Sequence, residues 1–338
     1  MGAALLKSRE AASEEGQLSR TRISRDLYQI AELVELAFAE RLDGSGRAAV
    51  REMKLVGRLG PLLWLLALID RVAGLSLGTG YVWRAQGRGV GNASIYRGGK
   101  HPRLGRGFLI ANVAVHPDYR RRGIARALMD ASLDLIRRKG GRWAALQVEA
   151  DNSAALHLYD DMGLTRFATL EQWEASRLTP PLAGDPPGWV VRERRPGEAP
   201  AEMVFIYDRA RPGGMAWTRT IEPADIRDLG PLGGILRVGG QDHWLLTPAH
   251  APDRIAGVLC VQRSAFDRPR LTLFLDPALA DDAARQALLR HVLSLPDLRS
   301  RPLRIEVPAG DAAVEGLLKQ CGFRRGRALV QMRLQLTP

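Results

Sequence analysis

Between residues 109 and 162 the hydrophobic pattern of this chain switches period repeatedly, and few architectures accommodate that order. The run LIANVAV (109–115) is apolar apart from one asparagine, as in a strand covered on both faces. From Ile124 the spacing becomes helical, with Ile124, Ala127, Leu128, Ala131 and Leu135 at i, i+3, i+4, i+7 and i+11. A short apolar stretch (145–148) and a second helical segment (153–162) follow, so the pattern predicts β–α–β–α with helices packed on a sheet. Strands are expected before it at 80–84 and 89–96. A helix over 26–40, capped by Ser24, comes first; it places Leu27, Ile30, Leu33, Val34, Ala37 and Phe38 on one face. Residues 48–69 read as a second helical region, interrupted at Gly60-Pro61.

The stretch SRLTPPLAGDPPGW (176–189) holds four prolines and two glycines, which forbid a regular element and mark a linker. The expected organisation is a leader (1–17), a first domain (18–178), a linker and bridging segment containing MVFIYDRA (179–214), and a second domain (215–338). A chain of 338 residues with 46% hydrophobic content can fill two such cores. The leader lacks a basic start followed by an apolar core and is expected to be disordered. The longest apolar run, PLLWLLALI (61–69), is shorter than the ~20 residues of a membrane span; packing against the second domain, or lining an acceptor pocket, is its expected use. Cys260 and Cys321 have no partners at metal-ligand spacing, so structural thiols in a cytoplasmic protein without a metal are expected.

The formal charge of +12 is uneven: 25 basic residues stand against 16 acidic ones in 18–178, and 17 against 13 in 215–338. Three consecutive arginines (120–122) sit where the strand at 109–115 gives way to a helix. Such a junction points unpaired amide N–H groups and the positive end of a dipole outward, which suits an anion such as a pyrophosphate. Gly123 permits close approach to the backbone, and Ala125 keeps the next position small. The basic residues have no interleaved aromatic platform, which argues against a nucleic-acid partner.

Taken with LQVEADNSAALHLYDDMGL (146–164), the stretch NVAVHPDYRRRGIARALM (112–129) resembles two consecutive motifs of the GNAT superfamily of acyl-CoA-dependent N-acetyltransferases. The resemblance covers roughly residues 18–178 and implies a mixed, largely antiparallel central sheet flanked by helices. It also implies that Arg120, Gly123 and Ala125, with the backbone of Arg121, Arg122 and Ile124, cradle the coenzyme A pyrophosphate. Asn152 and Ala155 fall on the motif that contacts the pantetheine arm, and Tyr159 on the residue that protonates the leaving thiolate. The strands at 112–115 and 146–149 are expected to splay, with backbone N–H groups near Val113, Ala114 and Val115 donating to the thioester carbonyl. Acetyl-CoA is thus the implied donor, a primary amine of a small molecule or a protein N-terminus the acceptor, and transfer is direct, with no metal and no membrane.

The chain departs from this pattern at the base. Ribosomal-protein alanine N-acetyltransferases, which the stretch around Tyr159 resembles, carry a catalytic glutamate twelve residues before the tyrosine, where this chain has Gln147. A neutral amide cannot take a proton, but Glu149 lies two residues along the strand and projects from the same face. Glu149 through one water is the candidate base and a partner for an arginine is its other reading; Asp118 and Asp151 stand behind it. His116 and His157 are expected in structural or ligand-edge roles.

An internal repeat completes the reading. FLDPALADDAARQALL (274–289) aligns with AVHPDYRRRGIARALM (114–129), and GLLKQCGF (316–323) with HLYDDMGL (157–164). The second copy has Ala280, Asp281 and Asp282 for the arginines, Ala283 for Gly123 and Leu318 for Tyr159, and two aspartates would repel a pyrophosphate. The expectation is a tandem GNAT arrangement with a degenerate second domain. Two further readings stay open: an enzyme resembling mycothiol synthase, also a tandem GNAT protein with a VEADN-like stretch, and a non-catalytic acyl-CoA sensor.

Overall fold

A computed structural model describes residues 16–39, 44–58, 79–101, 105–179, 187–195, 197–198, 200–210, 241–262, 269–279, 281–299 and 302–336. Residues 1–15 of the leader, the Gly60-Pro61 interruption and the apolar run 61–69 lie outside these. By contacts the chain divides into two compact units, Met1–Leu146 with Arg333–Pro338, and Gln147–Met332.

The first unit contains strand β1 (Gln17–Arg20), helices α1 (Ile23–Ala37) and α2 (Gly44–Gly57), and strands β2 (Thr79–Ala85), β3 (Arg88–His101) and β4 (Gly105–Val115). A turn of 3-10 helix (Pro117–Tyr119), helix α3 (Ile124–Arg138) and strand β5 (Trp143–Glu149) follow, β5 belonging to this unit through Leu146. The strands lie in the order β1-β2-β3-β4-β5, antiparallel except for β4 and β5. Ile30, Ala31, Leu33 and Val34 of α1 pack with Val50 of α2, Val82 of β2 and Ala114 of β4, the apolar stripe expected of this helix. Its start differs from expectation. The helix begins at Ile23, and Ser24 lies within it; Asp26, 1% exposed, accepts from the Arg22 N–H at 2.7 Å and pairs with Arg84 at 2.5 Å. The carboxylate, held by Arg84, reaches back to the amide of Arg22, and the helix starts one residue before Ser24.

In the second unit the end of β5 leads to helix α4 (Ser153–Asp161) and strand β6 (Thr165–Ala175). Strand β7 (Trp189–Glu193), helix α5 (Pro200–Ala210) and strands β8 (Gln241–Pro248), β9 (Gly257–Gln262) and β10 (Arg270–Leu275) come next. Helices α6 (Asp282–Ser294) and α7 (Pro296–Arg299), strand β11 (Leu303–Pro308), helix α8 (Ala312–Gln320) and strand β12 (Arg324–Gln335, in this unit through Met332) complete it. Its strand order is β5-β12-β6-β11-β10-β9-β8-β7, so the last strand of the chain separates two that are consecutive in sequence. The stretch read as a bridging segment is built into this unit: β7 pairs with β8, and Met203 and Ile206 of α5 bury against Leu245, Ile255, Val258 and Phe274. The repeat read from sequence has its structural counterpart, since β10 pairs antiparallel with β9 and parallel with β11 as β4 does with β3 and β5.

Close packing in the first unit turns on Trp143, wholly buried, whose ring occupies the space a Cβ on Gly107 would need; that atom would fall 1.7 Å from the ring. Overpacking of this kind costs about 1–3 kcal/mol, so Gly107→Ala is expected to lower the thermal midpoint. Gly316→Ala, inside α8 with nothing within 4 Å of the added methyl, should raise stability by about 1 kcal/mol. Circular-dichroism melts of both variants check the opposite signs.

Candidate active site

The candidate site begins where β4 leaves regular pairing. In the β3–β4 ladder Ser94 faces Ala111 but Asn92 faces Ala114, so two residues of β4, Asn112 and Val113, oppose Ala93 alone. This is a β-bulge, which takes a residue out of the ladder and re-aims it. Asn112 carries it at φ +54°, a left-handed conformation that asparagine tolerates better than most residues. Asn92, wholly buried, holds the bulge: its Nδ2 donates to the Asn112 carbonyl at 2.9 Å and to Ser94 Oγ at 3.1 Å. Asn112 Nδ2 in turn donates to the Tyr96 hydroxyl, whose pKa burial raises. On the other edge, the parallel ladder of β4 with β5 runs only from Gly107 and Trp143 to Leu109 and Ala145. From Ile110 onward β4 is laddered with β3 alone among the described residues.

Beyond β4 the chain makes the 3-10 turn and enters α3. His116 is structural: its backbone N–H donates to Val90, its Nδ1 accepts from the Asp118 N–H at 3.3 Å, and its ring stands edge-on to Tyr119. Gly123 forms the N-cap of α3 at φ +76°, with no side-chain cap and open space where a Cβ would stand. The first amide protons of a 15-residue helix are therefore offered outward beside a glycine, a cradle that fits a pyrophosphate. Ile124 is buried beneath this turn and Ala125 half-buried.

The three arginines do not need an anion to share the turn. Arg120 donates to the carbonyls of Val115 and Ala37, each at 3.4 Å, and so supplies a cation to the C-terminus of α1, which has no basic residue in its last turn. Arg122 donates to the Asp118 carbonyl at 3.1 Å and lies over the Tyr119 ring at 5.0 Å. Arg121, exposed, adopts φ +63°. Repulsion is relieved by divergence, and the cradle is shaped by neutral carbonyl partners.

In the second unit, Asn152 caps α4 by accepting from the Ala155 N–H at 3.2 Å. Tyr159, 5% exposed on the same helix, has its phenol pushed up to about 12 by burial. It stays protonated across the physiological range and is a donor. Gln147 is exposed and Glu149 half-buried with Val148 buried between them, the common face expected from strand alternation. Glu149 Oε1 accepts from Arg327 Nη1 at 3.0 Å, and Arg327 Nε donates to Gln172 Oε1 at 2.7 Å. The pairing with an arginine, one of the two readings of Glu149, is thus present. Asp118, Asp151 and His157 are exposed. Burial pushes the Cys260 thiol up to about 12 and Cys321 up to about 11, so neither is a nucleophile near neutrality. Sequence reading did not single out Asn92, whose signal is an asparagine inside the strand stretch GVGNASI, or Arg327, which carries no local signal.

The second copy lacks the bulge and the open helix start. Its β9–β10 ladder runs from Gln262 and Arg270 to Gly257 and Leu275 without a shift of register, so it has no bulge. Asp281 Oδ1 accepts from the Ala284 N–H at 2.8 Å and closes the start of α6 that Gly123 leaves open at α3.

Residues 57–164 match the acetyltransferase (GNAT) family. Curated relatives include N-alpha-acetyltransferase 30 of Schizosaccharomyces pombe, 38% identical over 68 residues (20% of this chain, 45% of the relative). The [ribosomal protein bS18]-alanine N-acetyltransferase of Escherichia coli is 42% identical over 52 residues (15% and 35%), and mycothiol acetyltransferase of Rhodococcus opacus 41% over 71 (21% and 22%). The chain spans less than half the length of each. A GCN5-related N-acetyltransferase from Sphaerobacter thermophilus shares the fold at TM-score 0.65 and 15% identity, over 96% of this chain and 97% of that one. A tandem GNAT protein from the clavulanic acid biosynthesis pathway does so at TM-score 0.60 and 16% identity, over 96% and 99%. Among the described residues no helix is long and apolar enough to cross a membrane, and no group of three His, Cys, Asp or Glu is placed to hold a metal ion.

The uncapped start of α3 and the capped start of α6 generate a direct test. Gly123→Glu fills the cradle with a carboxylate and is expected to abolish coenzyme A binding in calorimetry, whereas Ala283→Glu leaves it intact. Equal losses from both, with unchanged melts, would contradict the assignment to the first copy.

Proposed function

Because residues 57–164 belong to the GNAT family of acetyltransferases, we propose that this chain transfers an acetyl group from acetyl-CoA directly to a primary amine. The observation that carries the reading is the start of α3, where Gly123 leaves the helix amides uncapped and the space before them open. The acyl donor supplies the thioester. The amides after Gly123 bind its pyrophosphate, and the free edge of β4 at Val113, Ala114 and Val115 receives the pantetheine and its carbonyl. The bulge at Asn112 and Val113 supports that role, because it turns a backbone donor away from β3 before any ligand arrives.

Asn152 and Ala155 hold the arm of the donor, and Arg120 and Arg122 act by shaping the loop. The amine nitrogen bonds to the acetyl carbon as the carbon–sulfur bond breaks. Glu149 takes the amine's proton through a water, and Tyr159 gives its phenolic proton to the departing thiolate. Balance requires that Tyr159 be reprotonated from solvent before the next turnover. The catalytic half is 18–178, with 215–338 a degenerate partner whose Asp281 cap removes the anion site. Two free thiols fit a reducing compartment such as the cytoplasm.

The acceptor is a protein N-terminus, a reading supported by the matches to an N-alpha-acetyltransferase and to a ribosomal-protein alanine acetyltransferase. A small-molecule amine is the second reading, favoured by the match to a mycothiol acetyltransferase. Thiol release from acetyl-CoA over a panel of alanine- and serine-initiated peptides, amino sugars and polyamines separates them. Coenzyme A binding without thiol release on any amine would favour a sensor.

Tyr159→Phe keeps the ring and removes the proton, so kcat is expected to fall about 10²–10⁴-fold with acetyl-CoA affinity unchanged. With the phenol at about 12, the wild-type tyrosine keeps its proton as pH rises from 7 to 10 and adds no alkaline limb there. The ratio of the two enzymes should therefore be flat over that range, which a pH series of kcat measures.

A further inference from the structure

Arg327 lies on β12, far from Glu149 in sequence, and it grips two side chains of flanking strands. One arm meets the Glu149 carboxylate on β5, and the other meets the Gln172 amide oxygen on β6. That contact orients the Gln172 amide, leaving Nε2 buried with no hydrogen-bond partner among the described residues; the residue is 2% exposed. An orphaned buried donor costs about 1–3 kcal/mol, and a partly buried ion pair adds little stability of its own. The Arg327 and Glu149 side chains are 30% and 15% exposed, so the pair is sheltered without being sealed from water.

We propose that Arg327 is a positioning residue for the proton transfer: held by Gln172, it fixes the rotamer of Glu149, so that the last strand of the chain orients the base. The proposal rests on the reading of Glu149 as the group that takes the amine's proton. Gln147, the other side chain exposed on that face of β5, is an amide and accepts none. On the adjoining strands Arg325 is paired with Glu171 at 3.0 Å, Glu174 lies further along β6, and Asp151, in the turn after β5, is acidic.

The test uses the full chain in thiol-release assays with the amine found by the acceptor panel. Arg327→Met should lower kcat at least about tenfold, within the general-base range, while the KM for acetyl-CoA stays unchanged. Arg327→Lys, which keeps a cation opposite Glu149, should restore most of kcat. Melting curves of both variants guard against a folding defect. An unmoved kcat in Arg327→Met, while Glu149→Gln lowers kcat, would overturn the positioning role and leave the base intact. An unchanged kcat in Glu149→Gln would instead remove the base itself, and this proposal with it.

Discussion

A helix that begins without a capping side chain leaves amide protons that something else must satisfy, and the start of α3 is of that kind. The reason is conformational: Gly123 stands at φ +76°, where a side chain would be strained, and it has no oxygen to fold back on the amides. Its neighbours are arranged around that opening. Ile124 anchors the first turn in the core, Arg120 ties the loop to the ends of β4 and α1, and Arg122 folds onto the preceding turn. What sets this loop apart is an unfilled requirement of the backbone more than the charge of the arginines.

The two copies of the β–α–β–α unit share a frame and differ at the helix start. Asn152 and Asp311 cap equivalent helices through the same bond, each at 3.2 Å, and both copies keep a short parallel ladder. Besides the replacements at the arginines, Gly123 and Tyr159, the copies differ in one aspartate that caps α6 internally and in a β9–β10 ladder without a bulge. The second copy has a large core, in which Leu288, Leu303 and Ile305 are wholly buried, so its packing does not depend on an open helix start or a bulge.

Legibility from sequence followed the range of the interactions. The helix over Ile124–Arg138, the cradle at Gly123 and the common face of Gln147 and Glu149 rest on neighbours a few residues apart, so periodicity exposed them. The helix start at Ile23 was misplaced because its cap depends on Asp26, held by an arginine 58 residues away. MVFIYDRA read as a bridging stretch because its partners, Leu245, Val258 and Phe274, come later in the chain.

The sequence by itself determined the alternation of strands and helices, the repeat, and the chemical types at the site: a glycine among arginines, a tyrosine on a helix, and an amide where a base was expected. Each is a property of residues whose consequences are local, so composition and period carry it. Only the tertiary structure decided that β12 separates β5 from β6, that Asn92 sustains a left-handed Asn112, and that Glu149 faces an arginine 178 residues away. Those outcomes depend on which strand takes an open edge and which side chains burial then forces together. A chain's local preferences do not encode such pairings, because the partner is chosen by shape and register once the sheet has formed.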